Sequence, residues 1–528
     1  MRRPRFDRQL AAQMTAVAAT SSLVIGTAGR LYQWNSDDVA LQVAMRTWSP
    51  GHGTLYLPEA TWVLKAPFYA VTEWLFGSQA STLLIEAMVL NVVSALMVFW
   101  LIRMIIIRVA ALADSSRSMA THGWTAALVT GWLVSLSPVL VDTSLRPTNR
   151  SLEIGLICMG LVLTTNRISE VASEPTRQAI GRLVVPALWW GILAVDDPAA
   201  MYSIVAPVAL VAVVVLAIRR SRMATNVLVL AVASIVLWRV GLMFLHVLGV
   251  RAVSLNPRII RPAELPTTLA NTAESLAIVF DIPVFGARPQ DLRLKIVLPQ
   301  IFFIALAVIA FVRHRASLRL SPLVIGSAMW AFGLLASYGL SSHGLDMANI
   351  RYIVFGAIPL TALLAAGLAA SDRRPRDVMM VLLAVVLALH MFDSVRSTRT
   401  DASPNSESAR LVEALSAADI QRGYGDFWET LAPSYFDDSL TLVPVTCVEG
   451  ETAFRRWFVD DEIARVQPNV ERTAYIHNER PGLLACPIGL VYEQFGEPVE
   501  QISVTATITL LIYDGDIGEK FAPSPTPG

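Results

Sequence analysis

The 528-residue sequence is rich in apolar residues (54%) and poor in charged ones (16%), whereas soluble chains carry about 25% charged residues. Lys+Arg and Asp+Glu both number 42, so no global field favours nucleic acid or an acidic partner. The basic residues gather between apolar runs, and most of the long polar sequence follows residue 394. This pattern indicates an integral membrane protein.

Eleven apolar runs approach the length of about 20 residues that a helix needs to cross the hydrocarbon core. The first follows a basic N-terminus, so a cleaved signal peptide is the alternative, but the run is long and no clean cleavage pattern follows it. Two runs, 181–195 and 378–393, are short and could be merged or tilted. The predicted spans are residues 10–29, 82–107, 123–141, 151–166, 181–195, 199–218, 225–249, 296–312, 321–341, 352–371 and 378–393.

Arginine is concentrated in alternate loops of this arrangement. Because short cytoplasmic loops carry an excess of Lys and Arg, we expect these loops and the N-terminus to be cytoplasmic. Eleven spans then place the C-terminal domain outside the plasma membrane. The basic segments are residues 2–8, 108–117, 167–182, 219–222, 313–319 and 373–376.

The first outer segment, residues 31–80, is long for a connection. It carries the adjacent acids Asp37 and Asp38 and then a stretch rich in aromatic rings and proline. We expect short helices that lie in the headgroup region. The alternative, a twelfth span over residues 61–77, is disfavoured by the charged residues and the proline in that run.

The outer ends of several spans carry side chains suited to a phosphate ligand. Arg146, Arg150 and Arg351 are placed there, and guanidinium is well matched to bidentate phosphate recognition. Glu153 and Tyr352 lie close to these arginines in the sequence and are predicted to bind the same substrate. The alternative is that each arginine pairs with a lipid headgroup or a nearby carboxylate. Asp196 and Asp197 either line the same outer cavity or cap the following helix, and capping is favoured.

The polar C-terminal region predicts a separate domain. Residues 1–393 form the membrane domain, 394–408 a linker, 409–520 a small extracytoplasmic α/β domain and 521–528 a disordered tail. An amphipathic helix is expected at 409–415 and strands at 440–448, 483–492 and 502–513. Cys447 and Cys486 both fall outside the cytoplasm in this topology, where a disulfide between them can form.

This arrangement resembles the GT-C glycosyltransferases, multi-span enzymes that include protein mannosyltransferases and bacterial aminoarabinose transferases. The resemblance covers most of residues 1–440 and depends on the order and sidedness of short motifs. These are Asp37-Asp38, Leu75-Phe76-Gly77-Ser78, Arg351-Tyr352 and Gly423-Tyr424-Gly425-Asp426-Phe427-Trp428.

The resemblance implies transfer of a sugar from a polyprenyl-phosphate donor to a hydroxyl group, with inversion at the sugar. The acceptor would be a glycan, lipid or protein of the cell envelope, and the enzyme would also contact membrane lipid. Asp37 would be the base or a ligand of a divalent cation, Mg or Mn, and Asp38 would support it. Arg146, Arg150 and Arg351 would hold the departing phosphate. The second acid is Asp where several relatives carry Glu, and the first loop has no Asp-x-Asp motif, so metal dependence stays open.

Two other functions are compatible with the sequence. A transporter or flippase is supported by Arg239 and His246 inside the seventh apolar run, because intramembrane charges often mark transport paths. The odd span count and the large outer domain oppose it. A non-catalytic scaffold is the other alternative. The sequence contains no Walker loop, zinc-ligand cluster, nucleophile elbow or dinucleotide fingerprint.

Overall fold

The computed structural model of the chain describes most of the molecule. The described residues are 7–29, 36–48, 53–58, 63–112, 119–136, 138–145, 150–171, 176–219, 221–253, 258–282, 292–318, 321–397, 406–455, 459–460, 467, 469–480 and 486–521.

Helices make up nearly all of the described chain up to Ser397. A π-helical turn, Met201–Val205, leads directly into α9, and short 3-10 turns lie between Ser342 and Gly356. The helices are α1 Arg8–Gly29, α2 Ser36–Thr47, α3 Ala66–Phe76, α4 Ala80–Leu112, α5 Met119–Val134, α6 Pro138–Leu145, α7 Ser151–Val171, α8 Thr176–Asp196, α9 Ala206–Ile218, α10 Arg222–Val247, α11 Leu265–Val279, α12 Leu292–Arg313, α13 Arg315–Leu318, α14 Pro322–Gly339, α15 Ala357–Ala370 and α16 Arg373–Ser397.

Seven helices in the described part of the chain are long and apolar enough to cross a membrane. They are α1, α4, α7, α9 with its π-helical turn, α10, α14 and α16 up to Phe392. Two shorter apolar helices occupy Val297–Arg313 and Val354–Ala370. Each of the predicted apolar segments is occupied mainly by helix. The chain is therefore a multi-pass membrane protein.

The helix α4 lies at the centre of this bundle. Phe99, Ile102 and Ile105 are buried along it, and the helix contacts α1, α5, α7 and α15. In contrast, α10 exposes Val236 and Phe244. Since a bilayer solvates apolar side chains, exposed apolar residues on a long helix are expected on its lipid-facing surface.

The segment between α1 and α4, predicted to be the first outer segment, contains α2 and α3 rather than another span. Helix α3 has 11 residues, about half of the length that a span requires. It exposes Trp74, Leu75 and Phe76 next to the start of α4, as expected for a helix in the headgroup region. The described residues 63–76 therefore do not form a twelfth span.

The C-terminal domain is built on a six-stranded sheet with the order β5-β4-β3-β7-β9-β8. Strands β3, β4 and β7 are parallel, and the other neighbours are antiparallel. Its elements are α17 Ser406–Ala417, β3 Arg422–Asp426, α18 Phe427–Phe436, β4 Thr441–Val448, β5 Glu451–Phe454, β7 Arg472–Asn478, α19 Ile488–Phe495, β8 Glu500–Ser503 and β9 Ile508–Asp514.

A second, three-stranded sheet connects the C-terminal domain to two outer loops. Its strands are β1 Leu55–Pro58, β2 Val250–Val253 and β6 Val459–Asp460. Strand β1 pairs with β2 in parallel, with Leu55 opposite Val250, and with β6 in antiparallel register, with Tyr56 opposite Val459. The backbone ladder thus joins three segments that are distant in sequence.

The strand predicted at 483–492 is wrong, because Ile488–Phe495 is the helix α19. Ile488, Val491 and Phe495 follow helical spacing and pack in one core cluster. The helix predicted at 409–415 lies in α17, and the strand predicted at 440–448 coincides with β4. The run predicted as one strand at 502–513 belongs to the hairpin of β8 and β9.

The two cysteines of the domain are joined. Cys447 near the end of β4 and Cys486 ahead of α19 form a disulfide with a Cα–Cα distance of 4.7 Å. Helix α16 continues to Ser397 and α17 begins at Ser406, so helix reaches into both ends of the predicted linker 394–408. The rest of that linker, 398–405, and residues 522–528 of the predicted tail lie outside the described residues.

The two glycines of β3 permit close packing. A Cβ at Gly425 would lie 2.8 Å from Cβ of Ile476, and one at Gly423 would lie 2.9 Å from Cδ2 of Leu442. Both distances are shorter than real Cβ contacts, so the neighbouring strands would have to move. This packing explains the alternating glycines of the Gly-Tyr-Gly segment.

We therefore expect Gly425→Ala to destabilise the C-terminal domain by about 1–3 kcal/mol through overpacking. The measurement is thermal unfolding of the full-length protein in detergent. Gly489→Ala is the matched control, because a Cβ there meets no atom within 4 Å. Equal unfolding temperatures for the two variants would contradict this account of β3.

Candidate functional site

A cluster of buried charges lies where the N-terminal end of α7 and the C-terminal end of α8 meet the segment before α3. Nζ of Lys65 lies 2.9 Å from Oε1 of Glu153, and both side chains are fully buried. Lys65 is the residue before the first turn of α3, and Glu153 is in the first turn of α7. The ion pair therefore fastens an outer helix to a helix of the bundle.

A second carboxyl group joins this ion pair. Oδ1 of Asp196, at the end of α8, accepts a hydrogen bond of 3.0 Å from the backbone N–H of Leu64. The Asp196 carboxyl also lies close enough to Glu153 for their charges to interact. Since two adjacent carboxylates repel each other in a dry site, the positive charge of Lys65 is needed beside them.

Arg150 forms the next part of the site, directly before α7. Its Nε lies 3.3 Å from Oδ2 of Asp197, and its side chain is 18% exposed. The guanidinium carbon lies 5.5 Å from the ring centre of Tyr352, and that ring stacks on His343 at 4.2 Å. A partly exposed guanidinium is thereby oriented by a carboxylate and an aromatic ring.

Asp197 has two roles. Its Oδ1 accepts a hydrogen bond of 2.9 Å from the backbone N–H of Ala199, the local capping interaction that the sequence favours. Its Oδ2 pairs with Arg150. Asp196 instead faces the Lys65 cluster, so the two adjacent acids serve neighbouring parts of one site.

Glu86 of α4 connects this region to the acid-bearing helix α2. Its carboxylate accepts a hydrogen bond of 3.0 Å from Nε2 of Gln42 on α2 and another from the hydroxyl of Thr72 on α3. All three side chains are buried. One carboxylate therefore holds three helices together.

Tyr69 on α3 lies between the two buried carboxylate groups. Burial raises the pKa of its hydroxyl well above the ordinary value. The carboxylates of Glu86, Glu153 and Asp196 are close enough to raise this pKa further. The two groups therefore belong to one continuous polar region beneath α3.

The structure brings together Arg150, Glu153 and Tyr352 from the residues that the sequence indicated. Asp37 and Asp38 occupy the first turn of α2, but their side chains lie outside the described part of the molecule. The same holds for the side chain of Arg351, whose backbone is in the 3-10 turn Met347–Tyr352. Arg146 lies outside the described residues.

Sequence reasoning missed the roles of Lys65, Tyr69, Glu86 and Gln42. A signal was present, since Lys65 and Glu86 are charged residues in largely apolar surroundings, where such residues normally face protein or water. Within the described ranges, no group of three or more His, Cys, Asp or Glu side chains could hold a metal ion. The cation at Asp37 stays a prediction, because that side chain is not described.

No protein-family model matches the chain, and no curated protein sequence matches it significantly. Solved structures that share its fold include two of one protein. The crystal structure of apo ArnT from Cupriavidus metallidurans matches with a TM-score of 0.52 and 13% identity over 97% of this chain and 99% of that one. ArnT bound to undecaprenyl phosphate matches with a TM-score of 0.51 and 13% identity over 94% and 97%.

This likeness shows that the chain has the fold of ArnT, an aminoarabinose transferase of the GT-C class. The resemblance seen in the sequence is confirmed at the level of the fold. The match spans nearly the whole of both chains, so it includes the C-terminal domain as well as the membrane helices.

The buried ion pair leads to a stability prediction. Lys65→Met removes the positive charge beside Glu153 and Asp196, and breaking a buried pair in this way costs about 3–5 kcal/mol. We expect a large fall in the unfolding temperature of the detergent-solubilised protein. The double variant Lys65→Met, Glu153→Gln should recover part of that loss, since one carboxylate is then neutral. If Lys65→Met unfolds at the same temperature as the wild type, the pair of Lys65 and Glu153 does not stabilise the fold.

Proposed function

We propose that this chain is a plasma-membrane glycosyltransferase that moves a sugar from a polyprenyl-phosphate carrier to an acceptor hydroxyl on the outer face. The observation that carries the proposal is the ArnT-like fold over 97% of the chain, with a buried charged site at the outer ends of its helices. One matching structure is bound to undecaprenyl phosphate, which supports a lipid-linked donor.

The proposed topology has eleven spans, a cytoplasmic N-terminus and an extracytoplasmic C-terminal domain. The alternating basic loops support it. The disulfide between Cys447 and Cys486 also supports it, because disulfides persist outside the cytoplasm. In this topology the Lys65 cluster and the segment Ser342–Tyr352 share the outer side with α2.

Arg150 is the proposed ligand of the donor phosphate. It is partly exposed and held by Asp197 and Tyr352, so its guanidinium is oriented before the ligand binds. A preorganised guanidinium stabilises charge on a leaving phosphate with little reorganisation. Arg146 and Arg351 are proposed as further phosphate ligands on the same outer side.

Asp37 is the proposed general base, with Asp38 supporting it. The acceptor O–H proton passes to the Asp37 carboxylate as the acceptor oxygen bonds to the anomeric carbon. The bond from that carbon to the phosphate oxygen breaks, and polyprenyl phosphate leaves with the electron pair. Attack opposite the leaving group inverts the anomeric centre. A Mg or Mn ion at Asp37 is the alternative role.

The transporter alternative receives no support from α10. Arg239 and His246 are both exposed on that helix rather than directed into the bundle, and the Arg239 guanidinium lies over the ring of Trp238 at 4.7 Å. Charges on the outer surface of a helix do not line a path through the protein. A non-catalytic scaffold would gain nothing from the cost of burying Lys65, Glu153 and Asp196.

The base assignment predicts the effect of Asp37→Asn. Loss of a general base lowers rates by about 10²–10⁴-fold, so we expect transfer to fall at least a hundredfold. The assay follows radiolabelled sugar from undecaprenyl-phosphate donors in proteoliposomes, with and without a chelator. Asp419→Asn in the C-terminal domain is the control. Near-normal transfer by Asp37→Asn would remove Asp37 as the base, and loss of wild-type transfer with chelator would establish the metal.

The phosphate assignment predicts a higher KM for the donor when Arg150 is changed. Hydrogen bonds to charged groups contribute about 1.5–3 kcal/mol, so Arg150→Lys, which keeps the charge beside Asp197 but loses the bidentate geometry, should raise KM about tenfold or more. Arg239→Lys is the matched control on α10. An unchanged donor KM in Arg150→Lys would assign Arg150 to structural pairing with Asp197.

A further inference from the structure

The sheet of the C-terminal domain changes its winding between two neighbouring parallel strands. Strand β3 pairs with β7 in parallel, with Gly425 opposite Ile476, so the two strands end side by side at Asp426 and Asn478. The helix after β3 is α18 and the helix after β7 is α19. If these helices lie on opposite faces, a crevice opens between the two strand ends.

The packing shows that they do. A Cβ on Gly425 would touch Thr430 of α18, so this side of the sheet faces α18. The alternate side chains Tyr424 and Tyr475 pack in a core cluster with Phe495 of α19. In open α/β sheets, ligands bind in the crevice outside the carboxyl ends of the strands at such a switch point.

One buried hydrogen bond crosses this crevice. Nδ2 of Asn478, at the end of β7, donates to Oε1 of Glu429 in the first turn of α18 at 2.6 Å. Asn478 is 5% exposed and Glu429 is 9% exposed. The other carboxylate oxygen, Oε2 of Glu429, is buried and has no hydrogen-bond partner among the described residues.

Leaving Oε2 of Glu429 without a hydrogen-bond partner in the described chain reduces the stability of the domain. A buried acceptor without a partner costs about 1–3 kcal/mol, and more when it is charged. Burial raises the pKa of Glu429 to about 7, although the hydrogen bond from Asn478 opposes the shift. Such a group calls for a partner, and a bound ligand is one kind of partner that satisfies it.

Donors lie beside this acceptor. The backbone N–H of Arg480 donates to Oδ1 of Asn478 at 3.0 Å, which orients the amide and leaves its second N–H available in this bonding pattern. At the rim, the Arg480 guanidinium pairs with Glu407, and both side chains are partly exposed. The crevice thus presents a carboxylate acceptor, an amide donor and a guanidinium donor together.

We propose that this crevice binds a carbohydrate, with Glu429 Oε2 accepting from one sugar hydroxyl and Asn478 and Arg480 donating to its neighbours. A hydroxyl both donates and accepts hydrogen bonds, so neighbouring sugar hydroxyls can pair with the carboxylate acceptor and with the amide and guanidinium donors. The carboxylates of Asp426 and Glu407 near Glu429 disfavour an anionic ligand and favour a neutral glycan.

The ligand is assigned as the glycan acceptor, and this assignment rests on the proposed function. The opposite side of α18 packs against the acid-bearing helix α2, with Leu431 and Ala432 in one cluster with Val39 and Val43. A glycan in the crevice is therefore held by the helix that contacts α2. The chain consequently has an acceptor subsite outside the membrane domain.

The test is binding of neutral oligosaccharides to the full-length protein in detergent, without a lipid-linked donor. Mannohexaose, arabinohexaose and chitohexaose are titrated by calorimetry. The wild type should bind at least one of them, and Glu429→Gln should weaken binding at least tenfold. Glu497→Gln changes an exposed carboxylate of the same domain and should bind as the wild type does. If the wild type binds none of the three oligosaccharides, or if Glu429→Gln binds as tightly as the wild type, the proposed site is wrong.

A second variant tests the site in case Glu429→Gln fails to fold. Arg480→Gln changes a half-exposed residue, so the fold is retained, and we expect a severalfold loss of affinity from one lost donor. Unchanged affinity in this variant would also count against the site. If the protein binds an oligosaccharide but transfers no sugar from any donor, the proposed transferase activity is wrong and the proposed binding site is retained. Transfer by Glu429→Gln with an unchanged acceptor KM would refute the crevice and not the transferase.

Discussion

The packing of α18 against α2 is the contact on which the position of the C-terminal domain against the membrane helices depends. Val39 and Val43 of α2 are buried against Leu431 and Tyr435 of α18, so the C-terminal domain covers the helix that carries Asp37. Arg46, at the end of α2, reinforces the contact through ion pairs with Glu73 at 3.0 Å and Asp438 at 2.6 Å. Since both Arg46 partners are partly exposed, the apolar contact is expected to contribute more than the ion pairs.

This contact gives the acid-bearing helix a fixed position. Helix α2 is held on one side by the hydrogen bond between Gln42 and Glu86 of α4 and on the other side by α18. A functional group must be held to within a fraction of an ångström to act efficiently. A short helix packed on two sides meets that requirement better than a free loop, which is the contribution that α18 makes to the proposed site.

Much of the fold was predictable, because long apolar runs have few alternatives to a membrane helix. The short run at 483–492 was misread as a strand although Ile488–Phe495 is helical, since a run of that length fits either periodicity. Arg150, Glu153 and Tyr352 were identified from their places at span ends. Their true partners were not, because the pairing of Lys65 with Glu153 and of Arg150 with Asp197 depends on which helices are neighbours, and one sequence does not specify helix adjacency.

Buried carboxylates occur on both sides of the contact between α2 and α18, and the same physical argument applies to both. Glu153 with Asp196 in the membrane domain, and Glu429 in the C-terminal domain, are held in dry surroundings where an unpaired charge is expensive. A purely structural core would be as stable with apolar residues of the same size. Retained charge is consistent with the proposed ligand sites, where Arg150 beside the Lys65 cluster would bind the donor phosphate and Glu429 would accept from a sugar hydroxyl. The contact between α2 and α18 then fixes the distance between the two proposed ligand sites, as a donor and an acceptor that react with each other would require.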